Sequence, residues 1–125
     1  MYAYLTVFLG AGIGGALRHG VNVSALKLLG SGYPFGTLAV NVVGSFVMGL
    51  VAEWFALRAG SGEAWRLFLT TGILGGFTTF SAFSFDTAVL IERGLPAVAA
   101  GYVLLSVVAS IAALFLGLLV IRQLV

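Results

Sequence analysis

Four apolar runs, each about as long as an α-helix that crosses a bilayer, occupy most of this 125-residue chain, and short segments that carry most of the charges separate them. A helix needs roughly 20 apolar residues to cross the hydrocarbon core of a membrane. Charged residues are only 8% of the sequence, whereas a soluble domain has about a quarter. The sequence therefore predicts an all-α integral membrane protein, a single domain over residues 1–125. The expected spans are residues 2–23, 33–54, 66–86 and 95–121.

The composition also argues against several classes of function. The chain has no cysteine, so it can form neither a disulfide nor a thiolate metal site. The sequence has no cluster of lysine and arginine of the kind that indicates nucleic-acid binding. The run GAGIGG at residues 10–15 lies in a hydrophobic helix without a flanking strand, so it indicates close helix packing rather than a nucleotide site. His19 has no acidic or histidine neighbour in sequence that would make it a base or a ligand, and we do not expect an enzyme.

The positive charges are divided almost evenly between the two sides that four spans would create. The side of the termini and the middle loop has Arg58, Arg66 and Arg122. The other side has Lys27, Arg93 and, if it reaches the interface, Arg18. Because this bias sets the orientation of a membrane protein, a chain without one can insert both ways, and two oppositely inserted copies can form an antiparallel homodimer. A chance balance of a few charges is the alternative, and counting alone gives the two explanations equal weight.

Polar side chains follow one face of the second predicted span. Thr37, Asn41 and Ser45 are spaced four residues apart, which places them on one face of a helix. The amide of Asn41 can donate two hydrogen bonds to an anion without carrying a charge. The alternative is that Asn41 joins two helices by hydrogen bonding, which is the commoner role for a lone asparagine in a membrane.

Hydroxyl groups repeat in the same way along the fourth predicted span. Tyr102, Ser106 and Ser110 are also four residues apart and cover two helical turns, or roughly 12 Å. Such hydroxyls can donate to an anion or accept from water. Alternatively, each serine bonds back to a carbonyl of its own helix, but this does not explain why both are aligned with a tyrosine.

The stretch GGFTTFS at residues 75–81 predicts a break in the third helix near Gly75–Thr78, within residues 75–79. Adjacent glycines and β-branched threonines are poor helix formers. Unwound backbone is tolerated at membrane depth only where it is buried in protein or lines a cavity. We expect the chain to unwind at Gly75 and Gly76, and the carbonyls freed there can coordinate a hard cation such as Na⁺.

Phenylalanines at regular intervals follow the predicted break. Phe77, Phe80 and Phe83 drift slowly around one helix face, with Ser81 and Ser84 beside them. The edge of a phenyl ring carries partial positive charge. A small anion can therefore pass along ring edges and hydroxyls without meeting a fixed charge that would trap it. Ordinary aromatic packing is the alternative, and in membrane helices it is the usual explanation.

Three segments together resemble the Fluc fluoride channels, also called the CrcB family. They are GIGGALRH at 12–19, PFGTLAVNVVGSFVMG at 34–49 and GILGGFTTFSAFS at 72–84. The resemblance covers essentially the whole chain, and the combination of motifs carries it. It implies a fluoride-selective passive ion channel that exports cytoplasmic fluoride from a prokaryote through its plasma or inner membrane. It also implies an antiparallel homodimer in the lipid bilayer, with two fluoride pathways.

The resemblance implies roles for individual residues as well. The main-chain carbonyls of Gly75 and Thr78 from both subunits would hold a structural Na⁺ on the two-fold axis. Phe80 and Phe83 would form an aromatic box near Asn41, and the aligned hydroxyls of the fourth span would form a polar track. With the neighbouring hydroxyls, the predicted pathway comprises Thr37, Asn41, Phe80, Ser81, Phe83, Ser84, Tyr102, Ser106 and Ser110. Arg18 would lie in an aqueous vestibule. Asp86 stands where we expect glutamate in many members, so the acid is retained on a shorter side chain.

Two other kinds of membrane protein remain open from the residues alone. A small dual-topology multidrug or cation transporter shares the four short spans, but it should carry a glutamate in the middle of its first span, where TVFLGAGIGGAL at 6–17 has none. A non-conducting membrane scaffold should have polar residues scattered at helix contacts. The alignment of Asn41 with the serines and phenylalanines favours a conducting protein over a scaffold.

Overall fold

The computed structural model describes residues 2–58, 60 and 62–125, and within these ranges the chain is helical and contains no strand. The elements are α1 (Tyr2–Leu29), α2 (Phe35–Leu57), α3 (Glu63–Leu67), a π-helix (Phe68–Leu74), α4 (Gly75–Phe77), α5 (Phe80–Glu92) and α6 (Pro96–Leu124). Three helical segments of this described part are long and apolar enough to cross a membrane. These are Phe35–Leu57, Glu63–Glu92 and Pro96–Leu124. The prediction of an all-α chain with apolar spans is confirmed.

Prolines and glycines mark the helix ends. Pro96 is the first residue of α6 and Pro34 directly precedes α2, because a fixed φ and a missing N–H are tolerated at a helix start. Gly30 and Gly94 follow α1 and α5 with φ of 80° and 76°, a conformation that glycine adopts without strain. The first helix ends at Leu29 rather than at residue 23, since SALKLL at residues 24–29 consists mostly of good helix formers.

Glycines allow the backbones of neighbouring helices to approach closely. Gly10 and Gly14 on α1 are buried, and a Cβ at Gly14 would collide with the carbonyl of Ile73 in the π-helix. A Cβ at Gly76 would likewise meet the backbone of Ala11. Small residues give this contact in membrane helices. The expectation that GAGIGG marks a packing face is confirmed, and this packing holds the third span against α1.

The third span is interrupted, but the interruption lies after the glycines. Gly75 and Gly76 remain helical, whereas Thr78 (φ −84°, ψ 157°) and Thr79 (φ −153°, ψ 123°) are extended. The expectation that the chain unwinds at Gly75 and Gly76 is therefore wrong. The unwound residues are the β-branched threonines, whose helix propensity is low, and Asn41 of α2 supplies hydrogen-bonding partners for the main chain of Thr79. A π-helix, Phe68–Leu74, precedes the break and was not predicted.

The surface of the chain is apolar and its buried core is small. Leu90, Ala99 and Tyr102 form the buried cluster between α5 and α6. Large apolar side chains are exposed on every long helix, for example Phe8 on α1 and Phe115 on α6. Helices that are apolar on all sides are typical of membrane spans. The bundle therefore leaves wide surfaces for lipid or for another copy of the chain.

Candidate functional site

The side chain of Asn41 on α2 holds the extended segment of the break. Asn41 Oδ1 accepts a hydrogen bond from the N–H of Thr79 at 2.8 Å, and Asn41 Nδ2 donates to the carbonyl of Thr79 at 3.1 Å. This pair satisfies both main-chain groups of Thr79, which are costly to leave unpaired away from water. Asn41 therefore joins α2 to the break by hydrogen bonding, which is the alternative role that the sequence left open for this residue. The pair uses only one of the two amide hydrogens.

Two further contacts stabilise the ends of the broken helix. Arg18 Nε on α1 donates to the carbonyl of Gly76 at 3.1 Å, so this half-buried side chain reaches the break itself. The Thr79 hydroxyl accepts from the N–H of Ala82 at 3.1 Å and caps α5. The break is thus held from both sides by hydrogen bonds within one chain.

Two carbonyl groups lose their helical donors at the break. In a continuous helix the carbonyl of Gly75 would accept from the N–H of Thr79, and the carbonyl of Thr78 from the N–H of Ala82. Those two N–H groups instead donate to the side chains of Asn41 and Thr79. The carbonyls of Gly75 and Thr78 are therefore without the donors that a regular helix would supply. These are the two carbonyls that the family resemblance assigned to Na⁺.

A cavity of about 310 Å³ lies beside the break, between α2, α5 and α6. We call it the serine cavity, and its lining includes Asn41, Ser45, Phe80, Phe83, Ser106 and Ser110. Residues that the sequence analysis took from three different spans therefore line one space. Their spacing along each helix predicted a shared face, and the fold brings the three faces together.

The two serines of α6 are the least satisfied polar groups of this cavity. Within the described part of the chain, the hydroxyl oxygens of Ser106 and Ser110 are buried and have no hydrogen-bond partner. The alternative that these serines bond back to their own helix is therefore wrong for this structure. A buried hydroxyl without a partner is costly, so a guest that accepts hydrogen bonds would be favoured in this cavity.

An aromatic row leads away from the serine cavity. Ring centroids are 5.4 Å apart for Phe80 and Phe83, 5.3 Å for Phe83 and Tyr102, and 5.6 Å for Tyr102 and Tyr33. Tyr102 is fully buried, and its hydroxyl donates to Asp86 Oδ2 at 3.3 Å. This bond between α6 and α5 gives Asp86, whose role the sequence left open, a direct contact with the predicted hydroxyl track.

The remaining predicted pathway residues lie outside the serine cavity. Thr37 is buried and, with Asp86, lines a second cavity of about 340 Å³ next to the α1–α2 connection, which we call the loop cavity. Ser81 and Ser84 are exposed on α5, and the Ser81 hydroxyl lies 3.2 Å from that of Thr79. A pathway that included these exposed serines would need a second chain to enclose it.

Comparison with known proteins identifies the family. The profile of the family described as CrcB-like protein, Camphor Resistance (CrcB), matches residues 5–118. This chain belongs to the CrcB family. A relative from Methylobacterium nodulans named fluoride-specific ion channel FluC is 61% identical over 119 residues, which are 95% of each chain. Relatives with the same name from Granulibacter bethesdensis and Mesorhizobium japonicum are each 56% identical, over 100% and 99% of this chain and 98% and 99% of their own.

Family membership confirms the resemblance that the three motifs indicated. Together with the apolar helices, it makes the chain a multi-pass membrane protein. The printed name of the relatives is that of an ion channel and not of a multidrug transporter. These relatives match the chain along nearly its whole length.

Thr79 is the site residue that the sequence analysis missed. Helix propensity alone predicts only a weak helix at this position, yet both main-chain groups of Thr79 and its hydroxyl organise the break. Threonine directly before a helix is a preferred N-cap, and the run TTFSAF carried that signal. The bond from Asn41 had no comparable signal, because it joins residues 38 positions apart.

Proposed function

We propose that this CrcB-family chain forms a fluoride-selective passive channel that exports cytoplasmic fluoride across the inner or plasma membrane of a prokaryote. The observation that carries the proposal is the serine cavity, where the unpaired hydroxyls of Ser106 and Ser110 line the same space as Phe80 and Phe83. The name of the relatives, fluoride-specific ion channel, supports the choice of ion. Conduction of this kind needs no catalytic step.

The chemistry of the serine cavity suits a small anion that has lost part of its water. Ser106 and Ser110 can donate two hydroxyl hydrogens, and the edges of Phe80 and Phe83 add partial positive charge. No lysine or arginine is among its described lining residues. Uncharged donors bind an anion strongly enough to replace its water but weakly enough to release it, which conduction requires. Selection against chloride would follow from a path too narrow for the larger ion.

The proposed working form is an antiparallel homodimer in which each chain crosses the membrane four times, with α1 as the additional span. α1 has 28 residues, enough to cross. Phe80 is 77% exposed although it lines the serine cavity, and Ser81 and Ser84 are exposed on the same helix. A second copy would enclose these residues and complete two pathways. The balanced charges of the two sides support opposite insertion of the two copies.

We also propose that the dimer holds a structural Na⁺ at its centre. The part of the chain that the structure describes has no cluster of three or more acidic, histidine or cysteine side chains for a metal, so main-chain oxygens would be the ligands. The carbonyls of Gly75 and Thr78 fit this role because their helical donors are engaged elsewhere, and carbonyl oxygen is a suitable ligand for a hard cation. Gly75 is exposed in the single chain, which suits a site shared by two copies.

The physiological direction of flow follows from the acid chemistry of fluoride. Hydrogen fluoride is a weak acid that crosses membranes in its neutral form and dissociates in a less acidic cytoplasm. The anion is then trapped, where it inhibits metal–phosphate enzymes. Because the interior is electrically negative, a passive pore lets the anion leave without energy coupling.

The proposal is tested with purified protein in liposomes that contain potassium fluoride and potassium chloride. Valinomycin starts the efflux, and fluoride-selective and chloride-selective electrodes record it. We expect fluoride to leave while chloride is retained. Equal loss of both anions would contradict selectivity, and retention of both would favour the non-conducting scaffold. Protein-free liposomes give the background leak.

A further inference from the structure

The loop cavity lies near the serine cavity, and its lining is mostly apolar but includes several polar and charged side chains. These come from α1, the α1–α2 connection, α2, α5 and the residue that follows α5, and they include Asn22, Tyr33, Thr37, Asp86 and Arg93. Thr37 precedes Asn41 by one helical turn, about 6 Å along α2, and Asn41 lines the serine cavity. The two cavities are therefore neighbours along α2.

Tyr102 contacts residues that line each of the two cavities. Its ring packs against Phe83, which lines the serine cavity, and against Tyr33, which lines the loop cavity. Its hydroxyl donates to Asp86, which also lines the loop cavity. An anion that moved from Ser106 past Tyr102 would therefore come next to residues of the loop cavity.

The charges of the loop cavity present a difficulty for such an anion. The carboxylate of Asp86 would repel it, and fluoride would then be depleted where the path opens. Arg93 is the single lysine or arginine among the described residues that line this cavity. It follows Asp86 by seven residues and comes directly after the last residue of α5, Glu92. Lys27 is exposed near the end of α1, on the same predicted side of the membrane, but is not among the lining residues.

We propose that Arg93 makes the loop cavity the electrostatic mouth of the anion pathway. Its guanidinium offsets the charge of Asp86 and raises the local concentration of fluoride at the point where the path meets water. This inference rests on the fluoride channel proposed above. The role is a long-range one, so it depends on the sign of the charge at this position and is screened by salt. The Debye length falls from about 30 Å at 0.01 M ionic strength to about 3 Å at 1 M.

The absence of cysteine from the sequence allows the charge at this position to be set after folding. Arg93→Cys is purified as the folded protein and modified in detergent with a cationic trimethylammonium-ethyl or an anionic sulfonato-ethyl methanethiosulfonate reagent. Both forms are then reconstituted, and fluoride efflux is measured at ionic strengths of about 0.01 M and 1 M, adjusted with potassium isethionate. Lys27→Cys, treated in the same way, is the matched control because it changes charge on the same side outside the cavity.

We expect the cationic form of Arg93→Cys to conduct roughly two to ten times faster than the anionic form at low ionic strength. The ratio should fall to about one at 1 M. The Lys27→Cys ratio at low ionic strength should be clearly smaller than the Arg93→Cys ratio, because Lys27 is not among the residues that line the cavity. Equal rates for the two forms of Arg93→Cys at low ionic strength would overturn the inference. So would equal ratios at the two positions, or a ratio that persists at high salt.

Two controls keep the outcome interpretable. If Arg93→Cys does not fold, Arg93→Gln is compared with Arg93→Lys, and only the loss of charge should slow efflux at low ionic strength. If the unmodified wild-type chain conducts no fluoride, the channel proposal itself fails. If the wild type conducts but the charge at residue 93 has no effect, only the role of Arg93 is lost.

Discussion

Replacing Asn41 by leucine should destabilise the protein by removing the two hydrogen bonds that hold the break. The two side chains have the same number of heavy atoms and the same branching, so leucine keeps the outline of asparagine, although its methyl groups are bulkier, and it removes the bonds to Thr79, which measure 2.8 and 3.1 Å. Each hydrogen bond contributes about 1 kcal/mol, and a partly buried N–H and carbonyl left without partners add a further penalty. We expect a loss of about 2–4 kcal/mol, which corresponds to a fall in Tm of about 10 °C for a chain of this size.

The measurement is thermal unfolding in detergent, followed by the fluorescence of the two tryptophans, Trp54 and Trp65, which lie outside the break. Ser45→Ala is the control, because Ser45 lines the same cavity one turn further along α2 but makes neither bond to Thr79. It should change Tm by only a few degrees. If Asn41→Leu has the same Tm as Ser45→Ala and the wild type, Asn41 does not hold the break and our account of the third span is wrong.

Three further predictions concern the aromatic path, the helix contacts and the ion. Phe80→Ile or Phe83→Ile should abolish fluoride efflux from liposomes while the protein stays folded, because an aliphatic side chain has no positively polarised ring edge. Unchanged efflux in both variants would contradict the aromatic path. Gly14→Ala should lower the free energy of unfolding by about 1–3 kcal/mol or more, because the new Cβ would collide with the Ile73 carbonyl. Gly20→Ala is the control and should be near neutral, because the space around Gly20 is open. Equal melting temperatures for the two variants would show that the close contact at Gly14 is not needed. Replacing Na⁺ by a larger cation during folding should lower the fraction of dimer seen by size-exclusion chromatography, and an unchanged fraction, with no Na⁺ retained, would count against the central ion.

The apolar runs predicted most of the fold because bilayer thickness sets their length. Their ends were less accurate, since a helix continues past the membrane wherever the local sequence permits it, as α1 does to Leu29. The π-helix Phe68–Leu74 had no sequence signal. It lies where the third span packs closely against α1, at contacts such as that between Gly10 and Gly72, and such contacts depend on tertiary structure.

Local helix propensity predicts the region of the break, whereas tertiary contacts determine which residues unwind. Poor helix propensity identified a weak stretch of five residues, and the break does lie within it. Propensity alone favoured unwinding at Gly75 and Gly76, because glycine is the weakest helix former apart from proline. Asn41 and Arg18 come from other helices and select Thr78 and Thr79 instead.

The candidate site was predictable to the extent that regular spacing on a helix reveals a face. Asn41 and Ser45 on α2, and Ser106 and Ser110 on α6, were placed on their faces correctly, and those faces meet in the serine cavity. The relative positions of the helices decide which other hydroxyl groups line the serine cavity. That information is spread over the whole packing, so the separation of Thr37 into the loop cavity was not foreseen.

A single chain holds its own interrupted helix in place, with bonds from Arg18 on α1 and from Asn41 on α2. The shape of that segment is thus settled as soon as one chain has folded in the bilayer, before it has met another. In the proposed dimer, each copy would contribute a preformed half of the ion site and would need no rearrangement when the two copies bind. Assembly would then be limited by the encounter of two oppositely inserted chains, so its rate should rise with the square of their density in the membrane.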